Sequence, residues 1–216
     1  MFMVWKKRCW PVAMLLGAIM ALSACASYSL TLTYSADPID ARVIDAETKQ
    51  PLEGVVVTAN WQLEYGTYGG DVPAGQLMVM EAVTDKDGRF HFSGWGPKLA
   101  IRSHLSPDLD PQIILFKSGY DYRALTNSID FNKGARRRSD WNGKTIEMKK
   151  FTGTRKEWFE MLERVIPPFG EPKDAQKVST LLEAILAEED SIPDSIERKR
   201  VFFDDIVRRL LNGDKH

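Results

Sequence analysis

The sequence predicts a mainly β protein: a β-sandwich of about seven strands over residues 38–150, followed by a segment of about three helices over residues 154–212. Three observations carry this expectation. Apolar and polar residues alternate in short runs through the middle of the chain, which is the period of a half-buried strand. Gly, Pro, Asn and Asp punctuate those runs at turn positions. After Phe151 the apolar spacing changes to the three-and-four pattern of an amphipathic helix. Composition agrees, since 216 residues with 44% hydrophobic and 27% charged side chains exclude wholesale disorder.

The N-terminus has a different character. Lys6, Lys7 and Arg8 precede an apolar run from Val12 to Ala21, and Leu22-Ser23-Ala24-Cys25 follows. A basic start, a short apolar stretch and small residues before a cleavage point describe a signal peptide over residues 1–24. The run is shorter than the ~20 apolar residues that a membrane-spanning helix needs. Leu22-Ser23-Ala24-Cys25 resembles the lipobox of bacterial lipoproteins. That resemblance implies cleavage before Cys25, acylation at Cys25, and attachment to a membrane through the N-terminal lipid. Ala26 after the cysteine, where retained lipoproteins carry Asp, implies the outer membrane of a Gram-negative cell, with the protein facing the periplasm. Each buried methylene contributes ~0.8 kcal/mol, so several acyl chains make an effectively permanent anchor.

Cysteine and charge counts narrow the classes further. Cys9 leaves with the signal peptide and the lipid consumes Cys25, so neither a disulfide framework nor a cysteine-based zinc site is expected. The formal net charge is −1, and losing the three cations of the signal peptide makes it −4. A mildly acidic surface excludes nucleic acid as the main partner.

Residues 25–37 read as a polar tether. From Pro38 the strands begin, at 39–44, 53–61, 77–84, 89–92, 112–117, 121–125 and 145–149. In the second of these, Val55, Val57, Ala59 and Trp61 share one face, with Thr58 and Asn60 on the other, which predicts one buried face. Pro51, Asp87-Gly88, Gly94, Pro97, Ser118-Gly119 and Asn142-Gly143 supply the turns.

Three segments carry a second resemblance. Val43-Ile44-Asp45-Ala46-Glu47-Thr48-Lys49-Gln50-Pro51-Leu52-Glu53-Gly54-Val55-Val56-Val57 is similar to the opening of the carboxypeptidase regulatory-like, transthyretin-related domains. Thr84-Asp85-Lys86-Asp87-Gly88-Arg89-Phe90-His91-Phe92 resembles their later turn and strand, and Lys117-Ser118-Gly119-Tyr120 their "K-x-G-Y" element. The resemblance implies a transthyretin-like sandwich of seven strands. The Gly- and Tyr-rich stretch between Trp61 and Leu77 departs from the shortest members and reads as a loop insertion. Such domains accompany many functions, so the resemblance implies architecture and no particular activity.

The helical segment opens with a capping box, Thr154-Arg155-Lys156-Glu157, and Trp158, Met161, Leu162 and Val165 follow on one stripe. Pro167-Pro168 ends that helix. A second helix is expected over 174–188, with Val178, Leu181, Leu182 and Ile185 on its stripe. Asp194 and Glu197 open a third, which carries Phe202, Phe203, Ile206, Leu210 and Leu211. This segment is expected either to pack on the sandwich or to form a small bundle that offers a face to a partner.

Catalytic signatures are sparse. Asp85-Lys86-Asp87-Gly88 imitates the start of a calcium loop, but Trp95-Gly96 stand where its closing Glu belongs, so a hairpin turn is expected. His91 and His104 have no ligand-like spacing, and no metal site or cofactor is expected. Transthyretin-like hydrolases end in Tyr-Arg-Gly-Ser, whereas this chain ends Asn212-Gly213-Asp214-Lys215-His216. No Gly-x-Ser-x-Gly elbow or phosphate loop is present, so the expectation is a protein that is not an enzyme. Two patches are candidates for binding: Tyr65 and Tyr68 between spaced glycines, and the basic run of Lys133, Arg136, Arg137 and Arg138 beside Trp141. The function expected is an outer-membrane lipoprotein acting as a binding or assembly accessory with an envelope protein partner. A carbohydrate- or peptidoglycan-binding module and a secretion-system anchoring lipoprotein are the alternatives.

Overall fold

Strands form where alternation meets turn chemistry, and also at places where composition conceals the alternation. The structure, a computed structural model, describes residues 31–130, 134–165, 172–189, 207–209 and 212. The expected signal peptide, Cys25 and Lys133 lie outside the described residues. The strands are β1 (Thr31–Ala36), β2 (Ile39–Asp45), β3 (Val56–Thr67), β4 (Gly70–Val83), β5 (Arg89–Phe92), β6 (Trp95–Ile101), β7 (His104–Leu105), β8 (Gln112–Phe116), β9 (Arg123–Leu125), β10 (Arg136–Arg137) and β11 (Thr145–Met148). One sheet has the order β4-β3-β8-β9, with β7 pairing the outer part of β3. The other layer holds two ladders, β11-β2-β5 and β10-β1-β6.

The sandwich core lies between these layers. Val57, Ala59 and Trp61 of β3 and Ile113 and Leu115 of β8 meet Val43, Phe90, Phe92, Ile146 and Met148 from the opposing ladders. Trp61 packs edge-on against Trp95, with ring centroids 5.3 Å apart at 86°. Such pairs contribute ~0.5–1.5 kcal/mol beyond the area they bury.

The other face of β3 is buried as well, which corrects the one-face expectation. Val56, Thr58 and Asn60 are 5%, 1% and 2% exposed. The helical segment covers them. It comprises α1 (Arg155–Val165), α2 (Pro172–Ala175), a 3-10 turn (Gln176–Val178) and α3 (Ser179–Glu189). Trp158, Phe159, Leu162, Leu181, Leu182 and Ile185 join Val56, Val79, Ile114 and Phe116 in a second apolar cluster. Of the two arrangements expected for this segment, the chain adopts packing on the sandwich. Of the expected third helix, Val207, Arg208, Arg209 and Asn212 are described and helical, and Val207 is buried in the same cluster. No helix among the described residues is long and apolar enough to cross a membrane.

Two side-chain contacts fix where the helices start. The capping box forms: the Thr154 amide donates to Glu157 Oε2 at 2.7 Å, and the Glu157 amide donates to Thr154 Oγ1 at 3.3 Å. The Thr154 amide, with the Thr154 hydroxyl beside it, holds the Glu157 carboxyl below its ordinary range. At α3 the cap comes from a distant strand. Glu81 of β4 accepts the amides of Thr180 and Leu181 at 3.1 and 2.8 Å, placing a carboxylate on the positive end of the helix.

The second half of the expected tether is a strand. In β1, Tyr34 and Ala36 are buried, Ser35 between them is half-buried and Thr33 before them is exposed, and Thr and Tyr are good strand formers despite their polar look. The loop expected between Trp61 and Leu77 is a β-hairpin. β3 and β4 stay paired out to Thr67 and Gly70, through two register shifts at Trp61–Glu64. β6 was concealed by Gly96 and Pro97. It pairs with β1 alone among the described strands, and an edge position tolerates proline. Gly96 has φ +113°, and a Cβ there would stand 2.6 Å from the Ser35 Cα, so only glycine allows this approach.

Candidate functional site

The residues that carry the regulatory-like resemblance hold turns together. Asp45 Oδ1 accepts the amides of Glu47 and Thr48 at 2.8 Å each, and the Tyr120 hydroxyl donates to Oδ2 at 2.9 Å. The Thr48 amide, then the Tyr120 hydroxyl and the Glu47 amide, push the Asp45 carboxyl down to about 2, against the opposing effect of burial. Burial, and then the Asp45 charge, raise the Tyr120 phenol. Thr84 Oγ1 donates to the Leu52 carbonyl at 2.6 Å and accepts the Val55 amide at 2.8 Å. Asp85 Oδ1 accepts the amides of Asp87 and Arg89, as the hairpin reading expects. These are structural roles.

The expected binding residues separate. Tyr65 lies on β3 and is 45% exposed, and Tyr68 is fully exposed in the turn between β3 and β4. Both stand on the part of the hairpin that extends past the β3–β8 pairing, which ends at Asn60. Arg136 and Arg138 flank one carboxylate: Arg136 Nε contacts Asp37 Oδ1, and Arg138 Nε lies 3.0 Å from Asp37 Oδ2. The Arg136 hydrogen bond, with that from Arg138, lowers the Asp37 carboxyl.

Arg137 points inward and does not belong to an exposed basic patch. It is 6% exposed, its Nε lies 3.2 Å from the fully buried Asp110 Oδ2, and its guanidinium sits 5.0 Å from the Tyr34 ring centre. The contact with Asp110 is a charge pair off the hydrogen-bond direction. Alternation along β10 explains the inversion, since Arg136 and Arg138 face out when Arg137 faces in. Trp141 likewise has a local role, donating its Nε1 hydrogen to the Thr126 carbonyl at 2.8 Å.

The structure also assembles a group that sequence spacing did not show. Glu64 of β3, Asp71 of β4 and His104 of β7 converge, with His104 Nε2 3.9 Å from Glu64 Oε2 and 3.7 Å from Asp71 Oδ2. Asp71 and His104 border a cavity of about 330 Å³ together with Tyr34, Asp130 and Arg137. His91, by contrast, is exposed and pairs with Asp40, Nδ1 to Oδ1 at 2.8 Å. Residues 64, 71 and 104 follow no ligand motif, and only the hairpin and the short β7 bring them together.

No protein-family model matches the chain, and no curated protein sequence matches it significantly. Among solved structures it is similar to a streptococcal ancillary pilin, at 14% identity and TM-score 0.27 over 57% of this chain and 31% of that one. It is also similar to the group B streptococcus pilus 2b backbone protein, at 15% identity and TM-score 0.27, over 54% and 42% of the two chains. A third is 3-chlorocatechol 1,2-dioxygenase from Rhodococcus opacus, at 14% identity and TM-score 0.29 over 58% and 62%. The chain thus spans less than two thirds of each of these proteins. At these TM-scores the likenesses carry no argument about activity.

Proposed function

We propose that the protein is an outer-membrane-anchored lipoprotein facing the periplasm, a non-catalytic binding or assembly accessory of the cell envelope. The observation that carries this reading is the spacing between the lipobox and the fold. β1 starts at Thr31, six residues after Cys25. Six residues span at most ~20 Å, so an acylated Cys25 holds the sandwich close to the bilayer. Leu99 and Ile101 of β6 are 60% and 70% exposed and lie opposite Thr33 and Thr31, at the end of β1 where the anchor enters. Exposed apolar side chains in that position suit contact with a membrane surface.

The β3–β4 arm is the element available to a partner. In-cell photocrosslinking from position 68 on the arm and position 163 on the exposed side of α1 tests the accessory role, with adducts read by mass spectrometry. The reading predicts one or two defined envelope proteins, and it is overturned if neither position yields a protein adduct. Tyr65 and Tyr68 favour a second reading, a glycan-binding arm, because exposed aromatic rings stack on sugars. That reading predicts peptidoglycan fragments at position 68, and loss of glycan retention in the Tyr65→Ala, Tyr68→Ala double variant.

A further inference from the structure

The side chains of Glu64, Asp71 and His104 have the chemistry and the spacing of a metal-ligand set. Glu64 lies directly opposite His104 in the β3–β7 pairing. Asp71 lies opposite Gly66, two residues along β3 from Glu64. Strand alternation therefore places all three on one face of three neighbouring strands. Gly66 leaves that face open between them, and a Cβ there would stand 3.6 Å from Asp71 Oδ1. The register of β3 shifts between Gln62 and Glu64, and such irregularities re-aim the side chains that follow.

The distances are informative. One donor atom from each residue lies within 4.8 Å of the other two. His104 Nε2 stands 3.9 and 3.7 Å from the two carboxylate oxygens, beyond the ~2.7–3.2 Å of a hydrogen bond. Two ligands held ~2.1 Å from a tetrahedral ion are about 3.4 Å apart. The two His104 separations come within about 0.5 Å of that spacing, and the donor atoms of Glu64 and Asp71 lie within 4.8 Å of each other.

We infer that Glu64, Asp71 and His104 bind a first-row divalent transition cation, Zn²⁺ being the type ion. An imidazole beside two carboxylates suits such ions, whereas Ca²⁺ and Mg²⁺ take oxygen ligands in larger number. The two carboxylates balance the charge of the ion, and the adjoining cavity has room for a water or ligand in a fourth position. The ion ties β4 and β7 to β3 and stiffens the outer half of the arm, beside Tyr65 and Tyr68. This inference stands independently of the lipid anchor.

The test is calorimetric titration of Zn²⁺ into the full chain, purified in detergent and stripped with a chelator. Co²⁺ absorption reports the ligand geometry. The expected result is saturable binding of one ion, weakened more than about tenfold in His104→Ala and in the near-isosteric Glu64→Gln. His91→Ala leaves it unchanged, and Ca²⁺ and Mg²⁺ do not compete. Circular dichroism checks that each variant keeps its β signal. Absence of saturable binding overturns the inference, as does equal affinity in His104→Ala, which would place the ion elsewhere, for example at His216. Loss of stability in His104→Ala without any Zn²⁺ effect on the wild type also overturns it, and makes the three residues an ion-pair cluster.

Discussion

At the scale of single residues, the segments that made the sequence recognisable are those whose side chains close turns. Gly88 shows why one residue type is required. Its φ is +72°, and a Cβ there would stand 2.2 Å from the Val43 carbonyl oxygen. Gly88→Ala should therefore cost at least ~1–3 kcal/mol in denaturant unfolding, and an unchanged midpoint would contradict the packing described. Asp45 makes a pH-dependent contribution. Its carboxyl titrates at about 2 in the folded chain and near ~3.9 when unfolded. A depressed folded value means that the stabilisation is complete above the unfolded value and is lost as pH falls through the folded one. The stability difference between wild type and Asp45→Asn should be constant above about pH 5 and shrink between about pH 4 and 2. A difference that does not change over that range would show that the Asp45 carboxylate contacts do not form. Asp45 and Gly88 were legible in the sequence because local turn geometry leaves few residue choices, whereas Thr84 and Tyr120, whose partners lie 29 to 75 positions away, stood out only within the segments that carry the resemblance. Arg137 was not, since its burial depends on Asp110, 27 positions away, and on β10 joining β1.

At the scale of elements, legibility follows how much of the pairing is local. β2, β5 and β11 show as clean alternation because each has one apolar side in the sandwich core. The β3–β4 arm did not, because glycines and two register shifts hide its period beyond Trp61. The metal-ligand set was hidden with it. For α3, the 3.6-residue stripe was readable, but the cap is Glu81 on a strand about a hundred positions earlier. Removing it should loosen the end of that helix. Glu81→Ala is expected to cost ~1–2 kcal/mol, read as about tenfold faster amide exchange in the first turns of α3 with the β5 amides unaffected. Equal exchange in both proteins would mean that the helix start does not depend on this contact.

At the scale of the whole molecule, the chain is a three-layer arrangement in which one sheet serves two cores. β3 and β8 contribute alternate residues to the sandwich on one side and to the helical cover on the other. The sequence carried a hint of this in Val55-Val56-Val57 and Ile113-Ile114-Leu115-Phe116, runs too continuously apolar for a sheet wetted on one face. Phe159, 1% exposed in the helical cluster, should cost ~3–5 kcal/mol when truncated to Ala. The same change should raise binding of a hydrophobic dye, as Val56, Ile114 and Phe116 lose their cover. The functional account rests on the lipid, and its most direct measurement is the intact mass of the mature protein isolated from envelopes. The account predicts a chain that starts at Cys25 and carries the mass of its acyl groups, and a Cys25→Ser form that is neither acylated nor retained in the outer membrane. An unacylated Cys25, or a mature N-terminus at any other residue, would contradict it.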